Sequence, residues 1–287
     1  MAAKTSRPVK RPKKPRTSNK AKAGNAAASS RLQSMSDHKA SAGKAVLIHG
    51  PTGSGKTTLA IHKAPRPILV LDADGGLDSV DGTTDEDQID LWGGDDEIDW
   101  ASLDEFRDFI MSGDWNYKTI VADNLTAIQK PIIRYAIDQS MARLNEEKRA
   151  LRDPDVPSQQ DWGKIYRMMD RWIVDIKSVA KRKKVHIVFT AGTREWLDED
   201  AGYSKMMPNL EGQERNQIAT HMDAVGWLEA DEDGRRLHLA PSGAFITKLR
   251  LPVANHGQVP DEIEDPDFKK MISAMQGKKI QNRRTKK

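Results

Sequence analysis

The sequence predicts an α/β fold, with a mainly parallel sheet, helices on both faces and an antiparallel C-terminal extension. Three observations support this prediction. Short apolar runs of strand length alternate with amphipathic helical segments up to about residue 190. A glycine-rich turn joins the first apolar run to the first helix. After residue 190, short strand candidates follow one another with turn signals between them, which is typical of antiparallel pairing.

The first predicted strand and helix flank the glycine-rich turn. Residues 45–48 form an apolar run of the kind that makes a buried parallel strand. The turn spans residues 50–58, and residues 58–61 continue it as a helix. Pro65 and Pro67 must end that helix, because proline has no N–H to donate and its ring clashes with the preceding turn.

The next two predicted strands each end in acidic residues. Residues 68–71 lead into Asp72-Ala-Asp74-Gly75-Gly76, and residues 119–122 lead into Asp123-Asn124. The carboxyl ends of parallel strands meet at one edge of a sheet, so these acids are expected near the glycine-rich turn. In the fourth predicted strand, residues 185–189, His186 alternates with apolar neighbours and is expected to be structural.

The segments between these strands have helical or irregular patterns. Residues 78–100 are rich in Asp and Gly and are expected to be irregular and exposed. Residues 101–111 are predicted to form a helix that Gly113 ends. A longer helical region is predicted from residue 125 to about 151, where Pro131 either kinks the helix or begins a new one. The next predicted helix has as its apolar face Trp162, Ile165, Tyr166, Met169, Ile173, Ile176 and Val179.

The region after residue 190 is predicted to extend the sheet with antiparallel strands. The strand candidates are residues 222–229, 236–240 and 245–251. Asp-Glu-Asp-Gly and Pro-Ser-Gly sequences between them are turn signals. Residues 265–275 are expected to form a short closing helix.

The glycine-rich turn carries the clearest chemical signal in the chain. Its sequence, GPTGSGKTT, fits the pattern G-x-x-x-x-G-K-[ST] of the phosphate-binding loop, or P-loop. Glycines let the backbone curl until its N–H groups point at phosphate oxygens. Lys56 is expected to reach the β- and γ-phosphates of ATP, and Thr57 to hold Mg²⁺ through its hydroxyl. The predicted nucleotide-binding residues are Gly50, Pro51, Thr52, Gly53, Ser54, Gly55, Lys56, Thr57 and Thr58.

Asp123 is predicted to be the second Mg²⁺ ligand. P-loop enzymes need an acid near the metal at the end of another buried strand, and Asp123 has such a position. The alternative is that Asp123 caps the helix that follows. Asn124 is able to take that cap instead, which would leave the Asp123 carboxylate free.

Two further polar residues complete the predicted site. Hydrolysis needs a group that orients or deprotonates the attacking water, and Asp74 is the predicted group. Asp72 is its rival, and a turn-forming role is open to both acids. Thr190, at the end of the fourth strand, is predicted to report the state of the nucleotide to a DNA-binding segment. Thr193 and Arg194 are the alternatives for that role.

Charge divides the chain into three parts. Residues 1–44 carry a net charge of +11 and residues 269–287 carry +8. Because the whole chain carries +4, residues 45–268 carry −15. Residues 1–42 are predicted to be a disordered basic tail, residues 43–276 one folded domain, and residues 277–287 a second basic tail. The tails either contact a polyanion or only aid solubility.

Composition excludes several classes of protein. The chain has no cysteine, which excludes a disulfide framework and a thiolate metal site. No apolar run reaches membrane-spanning length, and the N-terminus lacks the apolar core of a signal peptide. We expect a cytoplasmic protein with no membrane partner.

The order of these motifs resembles the RecA-type ATPase core. In that family an acid on the strand after the P-loop helix activates water, and Asp74 stands where the family usually has Glu. The chain is still more similar to the small RecA-like AAA domain nucleotide-binding proteins of tailed phages, some of which act in single-strand DNA annealing or recombination. This resemblance spans about residues 44–252. Besides the P-loop, it is carried by Asp72-Ala-Asp-Gly-Gly76, Gln160-Asp161-Trp162-Gly163, Pro208-Asn-Leu-Glu-Gly212, Asp223-Ala-Val225 and Thr247-Lys248-Leu-Arg250.

The resemblance implies a RecA-like P-loop ATPase domain that assembles into a ring or filament of identical subunits. In such assemblies a basic pair on a late strand reaches the γ-phosphate held by the neighbouring subunit. Lys248 and Arg250 match that pair, since residues two apart on a strand point to the same face. The alternative is that both are solvated charges on an exposed strand.

The favoured functional hypothesis is an ATP-hydrolysing phage protein that acts on single-stranded DNA in recombination or annealing. A phage or host single-strand binding protein is a further expected partner, and the bacterial host cytoplasm the expected location. One alternative is a helicase loader or another DNA-linked P-loop ATPase. The other is a small-molecule P-loop kinase, against which the sequence shows no Arg-rich lid after the fourth strand and no obvious pocket for a second substrate.

Overall fold

The computed structural model of the chain describes residues 43–77, 88–93, 97–198, 202–250, 260–276 and residue 278. The predicted N-terminal tail, residues 1–42, lies outside these ranges. So does the predicted C-terminal tail, residues 277–287, except for Lys278. The division of the chain into one folded domain and two tails therefore stays a prediction.

The described residues form eleven strands and seven helices. The strands are β1 (Ala45–His49), β2 (Ile68–Asp72), β3 (Ile89–Trp92), β4 (Thr119–Asp123), β5 (His186–Ala191), β6 (Thr193–Asp198), β7 (Tyr203–Pro208), β8 (Ala224–Asp231), β9 (Gly234–His238), β10 (Lys248–Leu249) and β11 (Glu262–Glu264). The helices are α1 (Lys56–Ile61), α2 (Trp100–Ser112), α3 (Leu125–Met141), α4 (Glu146–Ala150), α5 (Gln159–Lys183), α6 (Glu214–His221) and α7 (Phe268–Met275).

Nine of the described strands form one sheet, in the order β11–β9–β8–β1–β5–β4–β2–β3, with β10 paired to β8. The strands from β8 to β3 in this order run parallel to one another. Strands β9, β10 and β11 pair in the antiparallel sense. The predicted fold class, a mainly parallel α/β sheet with an antiparallel C-terminal extension, is confirmed.

The direction of β8 departs from the prediction. The sequence placed this strand in the antiparallel extension, but β8 pairs with β1 in the parallel sense. Helix α6 lies between the β6–β7 hairpin and β8. It returns the chain to the amino ends of the parallel strands before β8 begins. The antiparallel part therefore begins one strand later, at β9.

Apolar side chains cover both faces of the sheet. Helices α2, α3 and α5 pack on one face with Ile218 of α6, while α1 and α7 pack on the other. Trp172 of α5 is fully buried at the centre of the first layer, 6.1 Å from the Phe106 ring. Its indole nitrogen donates a hydrogen bond of 2.8 Å to the carbonyl oxygen of Leu103, so the one polar atom of the ring is satisfied. This arrangement confirms helices on both faces.

Helix ends follow local signals in the sequence. Gly113 ends α2 with a φ of 73°, a conformation that glycine adopts without the steric cost of a Cβ atom. Helix α5 begins with a capping box, in which the Ser158 and Asp161 side chains bond reciprocally to the backbone. No helix in the described ranges is both long and apolar enough to span a membrane.

Other elements differ from the sequence-based expectation. Residues 89–92, placed in an irregular segment, form strand β3 parallel to β2 at the edge of the sheet. The predicted helical region from 125 to 151 divides into α3 and α4, and Pro131 lies inside α3 without ending it. The β6–β7 hairpin, helix α6 and strand β11 were not predicted. All three are short, and none carries a long apolar period.

Candidate nucleotide-binding site

The P-loop follows β1 at the carboxyl edge of the parallel strands. Gly53 and Gly55 have φ values of 79° and 90°, which only glycine adopts at little cost. A Cβ atom added at Gly50 would lie 2.1 Å from the carbonyl oxygen of Leu228. Strand β8 therefore passes so close to the start of the loop that only glycine fits there.

Lys56 folds back over its own loop. Its Nζ donates hydrogen bonds to the carbonyl oxygens of Gly50, at 3.1 Å, and Pro51, at 2.8 Å. Burial lowers the pKa of Lys56, while the negative charges of Asp123 and Asp74 oppose that shift. The ammonium group thus lies inside the curve of the loop, where the sequence motif predicts a phosphate.

Asp123 connects three elements at the carboxyl edge. Its side chain is 2 % exposed at the end of β4. One carboxylate oxygen accepts a hydrogen bond of 2.5 Å from the Thr57 hydroxyl, and the other accepts one from the Thr190 hydroxyl. Burial raises the pKa of Asp123, and the two hydroxyl donors oppose that shift. The carboxylate is therefore held against the P-loop threonine by the hydroxyl of β5.

Asn124, and not Asp123, caps helix α3. The Asn124 side-chain oxygen accepts a hydrogen bond of 2.9 Å from the backbone N–H of Ala127. Its side-chain nitrogen donates to the Asp74 carboxylate. The peptide bond between Asp123 and Asn124 is cis. One amide side chain therefore links the start of α3 to the acid that follows β2.

The two acids after β2 have different surroundings. One Asp72 oxygen accepts backbone hydrogen bonds of 3.0 Å from Gly75 and 3.2 Å from Gly76, so Asp72 holds the turn closed. Asp74 lines the cavity beside the P-loop. Burial raises the pKa of Asp74, and the charges of Asp123 and Asp72 raise it further.

The residues present fit a hydrated Mg²⁺ ion. A carboxylate and a hydroxyl, from Asp123 and Thr57, lie together at the mouth of the loop. Mg²⁺ is typically held by one or two carboxylates together with substrate phosphates and water. In the described ranges no group of three or more His, Cys, Asp or Glu side chains forms a protein-only metal cage. The oxygen donors therefore suit a metal ion that arrives with a nucleotide.

A cavity of about 550 Å³ surrounds these groups. It brings together the P-loop, Asp74 and Asp123, as the sequence predicted for one site. It also contains residues that the sequence did not single out as site residues. The additional lining residues are Gly76, Asn124, Thr126, Ala127, Lys130, Gly192, Asn209 and Arg235, and Thr193, which the sequence offered as an alternative to Thr190, lines the cavity as well. Their approach depends on tertiary packing. Gly76 and Asn209 lie in stretches that carry the family resemblance, whereas no local motif marks Lys130 or Arg235.

The residues at the end of β5 lie at different distances from this cavity. Thr190 is fully buried beneath the Asp123 carboxylate and is not among the residues that line the cavity. Thr193 does line it, and its hydroxyl donates a hydrogen bond of 3.1 Å to the Met207 carbonyl oxygen. Arg194 lies outside the lining and pairs with Glu211 at 3.4 Å.

Lys248 and Arg250 lie away from the cavity in the same chain. The Lys248 Nζ donates to the carbonyl oxygens of Ala219 and Thr220, at the carboxyl end of α6. Arg250 pairs with Asp223 at 3.3 Å, and Asp223 also accepts a hydrogen bond from the first residue of β1. The P-loop follows the last residue of β1, at the carboxyl ends of the parallel strands. The two basic residues therefore lie toward the amino ends of those strands.

Residues 42–251 match the AAA domain family, and the chain belongs to it. No curated protein sequence matches the chain. Among solved structures, a KaiC-like protein from the hyperthermophilic archaeon Pyrococcus horikoshii OT3 is similar at 16% identity and a TM-score of 0.37, covering 68% of this chain and 77% of that chain. The RadB recombinase is similar at 12% identity and a TM-score of 0.38, covering 68% of this chain and 79% of that chain.

The two structural likenesses are too distant to bear on function. The family match confirms the AAA domain predicted from the sequence, and the sheet topology confirms the predicted α/β fold.

Proposed function

We propose that the protein binds ATP with Mg²⁺, hydrolyses it, and acts on single-stranded DNA in phage recombination or annealing. The observation that carries the nucleotide part is the contact between Thr57 of the P-loop and Asp123 of β4. This contact joins the two predicted metal ligands beside Lys56, at the edge of the sheet where the P-loop begins. No local feature of the sequence requires these residues to meet.

The proposed chemistry assigns a role to each group at the cavity. The backbone N–H groups of the P-loop and Lys56 would hold the phosphates, and Thr57 and Asp123 would hold the metal. When bound, Mg²⁺ neutralises charge that develops on the β- and γ-phosphate oxygens. Asp74 would orient and deprotonate the attacking water, and Asn124 holds its carboxylate in place.

The DNA part of the proposal depends on the sequence. The resemblance to phage proteins that act on single-stranded DNA supports it, and so does the charge of the predicted tails. Residues 1–44 carry +11 against a middle of −15, so a polyanion would be attracted to the ends of the chain and repelled by its centre.

The rate of ATP hydrolysis, measured with and without single-stranded DNA, tests both parts of the proposal. The wild-type protein is expected to hydrolyse ATP faster with DNA, whereas Lys56→Ala should lose ATP binding or turnover while remaining folded. A folded Lys56→Ala protein with normal ATPase activity would contradict the nucleotide site. Dependence on a second protein instead of DNA would favour a helicase loader, and phosphate transfer to a metabolite would favour a kinase.

A further inference from the structure

Arg235 approaches the P-loop from the opposite side to the carboxylates. It is the second residue of β9, directly after the tight turn that joins β8 to β9. A Cβ atom added at Gly55 would lie 2.7 Å from the Arg235 Cζ, so the guanidinium group rests directly on the loop. Arg235 also lines the cavity that contains Lys56, Asp74 and Asp123.

The β8–β9 hairpin is built to reach this position. Strand β8 pairs with β1 only as far as Trp227 and His49, the last residue of β1. Four further residues of β8 then pair with β9 beyond the end of β1. The backbone N–H of Asp265 donates a hydrogen bond of 2.9 Å to the Arg235 carbonyl oxygen, which fixes the strand. The hairpin thus forms a wall beside the P-loop.

Two consecutive arginines in this hairpin have different environments. The Arg236 side chain pairs with Glu229 at 3.0 Å and also with Asp231. Successive side chains on a strand point to opposite faces, so Arg235 faces away from those acids. Among the residues that the structure describes, no hydrogen bond or ion pair engages the Arg235 side chain. Its charge lies beside that of Lys56 and is left for an anion to neutralise.

The position of Arg235 indicates which part of a nucleotide it would meet. Strands β4 and β2, which carry Asp123 and lead to Asp74, lie on the β5 side of β1, whereas β8 and β9 lie on the other side. The metal and γ-phosphate are expected on the carboxylate side. Arg235 also lines a second cavity of about 460 Å³ with His62, Lys63, Asp265, Pro266, Asp267 and Lys270. Arg235 thus borders both the phosphate cavity and this second, polar cavity.

We infer that Arg235 is a nucleotide-contacting residue, which binds the α- and β-phosphates from within the same subunit. This inference rests on the proposed nucleotide site and adds a residue to it. A guanidinium group presents a planar fork of donors that matches phosphate oxygens. Because both ADP and ATP carry α- and β-phosphates, Arg235 should contribute equally to the affinity for each.

Isothermal titration calorimetry with Mg²⁺, using ADP and a non-hydrolysable ATP analogue, tests the inference. Arg235→Ala is expected to weaken both affinities by the same factor, about ten- to a hundredfold, as for a lost charge-assisted hydrogen bond. Arg235→Lys should recover part of the loss. Arg236→Ala is the matched control, since it removes the same charge from the same hairpin, and it should bind as the wild type does.

Other outcomes separate this inference from the nucleotide site itself. If the wild type binds and Arg235→Ala binds equally well, Arg235 is not a nucleotide contact, while the proposed function stands. Equal weakening by both arginine variants would assign the effect to the hairpin and overturn the role of Arg235. Weakening for the ATP analogue alone would overturn the placement at the α- and β-phosphates. A wild type that binds neither nucleotide would overturn this inference and the proposed function together.

Discussion

Asn124 has two structural tasks at the residue scale. Its side-chain oxygen caps α3, and its side-chain nitrogen donates to the Asp74 carboxylate. The capping task leaves the neighbouring Asp123 carboxylate to Thr57 and Thr190. Asn124, the residue after Asp123, is therefore not an acid itself but helps to position the carboxylates of Asp123 and Asp74.

Asp74→Asn should leave nucleotide affinity nearly unchanged and slow hydrolysis by roughly a hundred- to ten-thousandfold, the usual worth of a positioned base. The reason is that an amide cannot accept the proton of the attacking water. Because burial is the largest of the causes that raise the pKa of Asp74, the wild-type rate should fall on acidification above the usual carboxyl range, as the base becomes protonated. Turnover number measured against pH, together with nucleotide affinity by calorimetry, checks this.

The control for that prediction is Asp72→Asn. Its remaining side-chain oxygen can still accept the backbone hydrogen bonds of Gly75 and Gly76, so the turn should survive and hydrolysis should continue. Loss of hydrolysis in Asp72→Asn, with normal rates in Asp74→Asn, would exchange the roles of the two acids.

Local spacing explains which site residues the sequence revealed. Lys56 and Thr57 belong to one continuous motif, and Asp123 follows a short apolar run, so each has a marker close to it in the chain. Arg235 has none, because it reaches Gly55 only through the pairing of β8 with both β1 and β9. Local sequence patterns do not predict contacts that depend on which strands become neighbours in the sheet.

At the scale of elements, the length of a helix or strand and the regular spacing of its apolar residues decided whether it could be predicted. Helix α5 has 25 residues and one continuous apolar stripe, so its position was clear in the sequence. Strand β3 has four residues in the sequence IDLW, of which two are exposed, and it pairs along only one edge. A short edge strand with little buried surface has a weak pattern. Two residues join the strand to the core, namely Trp92, 5.4 Å from the Phe106 ring, and Ile89 on the other face of the sheet.

Helix α6 begins with a buried carboxyl group. Glu214 is 1 % exposed, and neither of its carboxylate oxygens has a hydrogen-bond partner within the described ranges. Burial, followed by the negative charge of Asp170 on α5, raises the pKa of Glu214 to about 7. Asp170 itself bonds to His221 at the other end of α6, at 2.7 Å.

Glu214→Gln should therefore be more stable than the wild type at alkaline pH. The folded protein keeps a proton on Glu214 up to about pH 7, whereas the ordinary pKa of a glutamate side chain is 4.5. The stability that this group contributes is fully present below pH 4.5 and is lost as pH rises through 7. Urea unfolding at pH 5 and pH 9 should show little difference between the proteins at the lower pH and about 3 kcal/mol at the higher.

Glu211→Gln provides the comparison for the helix prediction. Glu211 lies three residues before Glu214, but its side chain is half exposed and pairs with Arg194. Its removal should change unfolding free energy little at either pH, as is usual for surface ion pairs. A difference between wild type and Glu214→Gln that stayed constant with pH would show that Glu214 does not titrate as described.

At the scale of the whole molecule, three cationic residues of the described chain line the candidate site, namely Lys56, Lys130 and Arg235. Lys56 and Arg235 lie at the P-loop, whereas Lys248 and Arg250 lie toward the amino ends of the parallel strands. We propose that Lys248 and Arg250 act on phosphates held by a neighbouring subunit, as the resemblance to RecA-type assemblies implies. Charge on the γ-phosphate would then be met by a cation in a subunit interface, where water is scarce and the interaction is strong.

Mixing Lys56→Ala subunits with Arg250→Ala subunits tests this assembly. Each variant alone should be nearly inactive, since a missing cation at the γ-phosphate costs roughly a thousandfold or more in rate. In the mixture, some interfaces pair an intact P-loop with an intact basic strand, so ATPase activity should partly return. Wild-type activity should also rise more steeply than linearly with protein concentration, because the active unit is then the interface and not the subunit. Thermal unfolding of Arg250→Ala alone is the control for its lost pair with Asp223. No recovery on mixing, with a monomer by light scattering in the presence of ATP and DNA, would reduce Lys248 and Arg250 to residues that brace α6 and β1 within one chain.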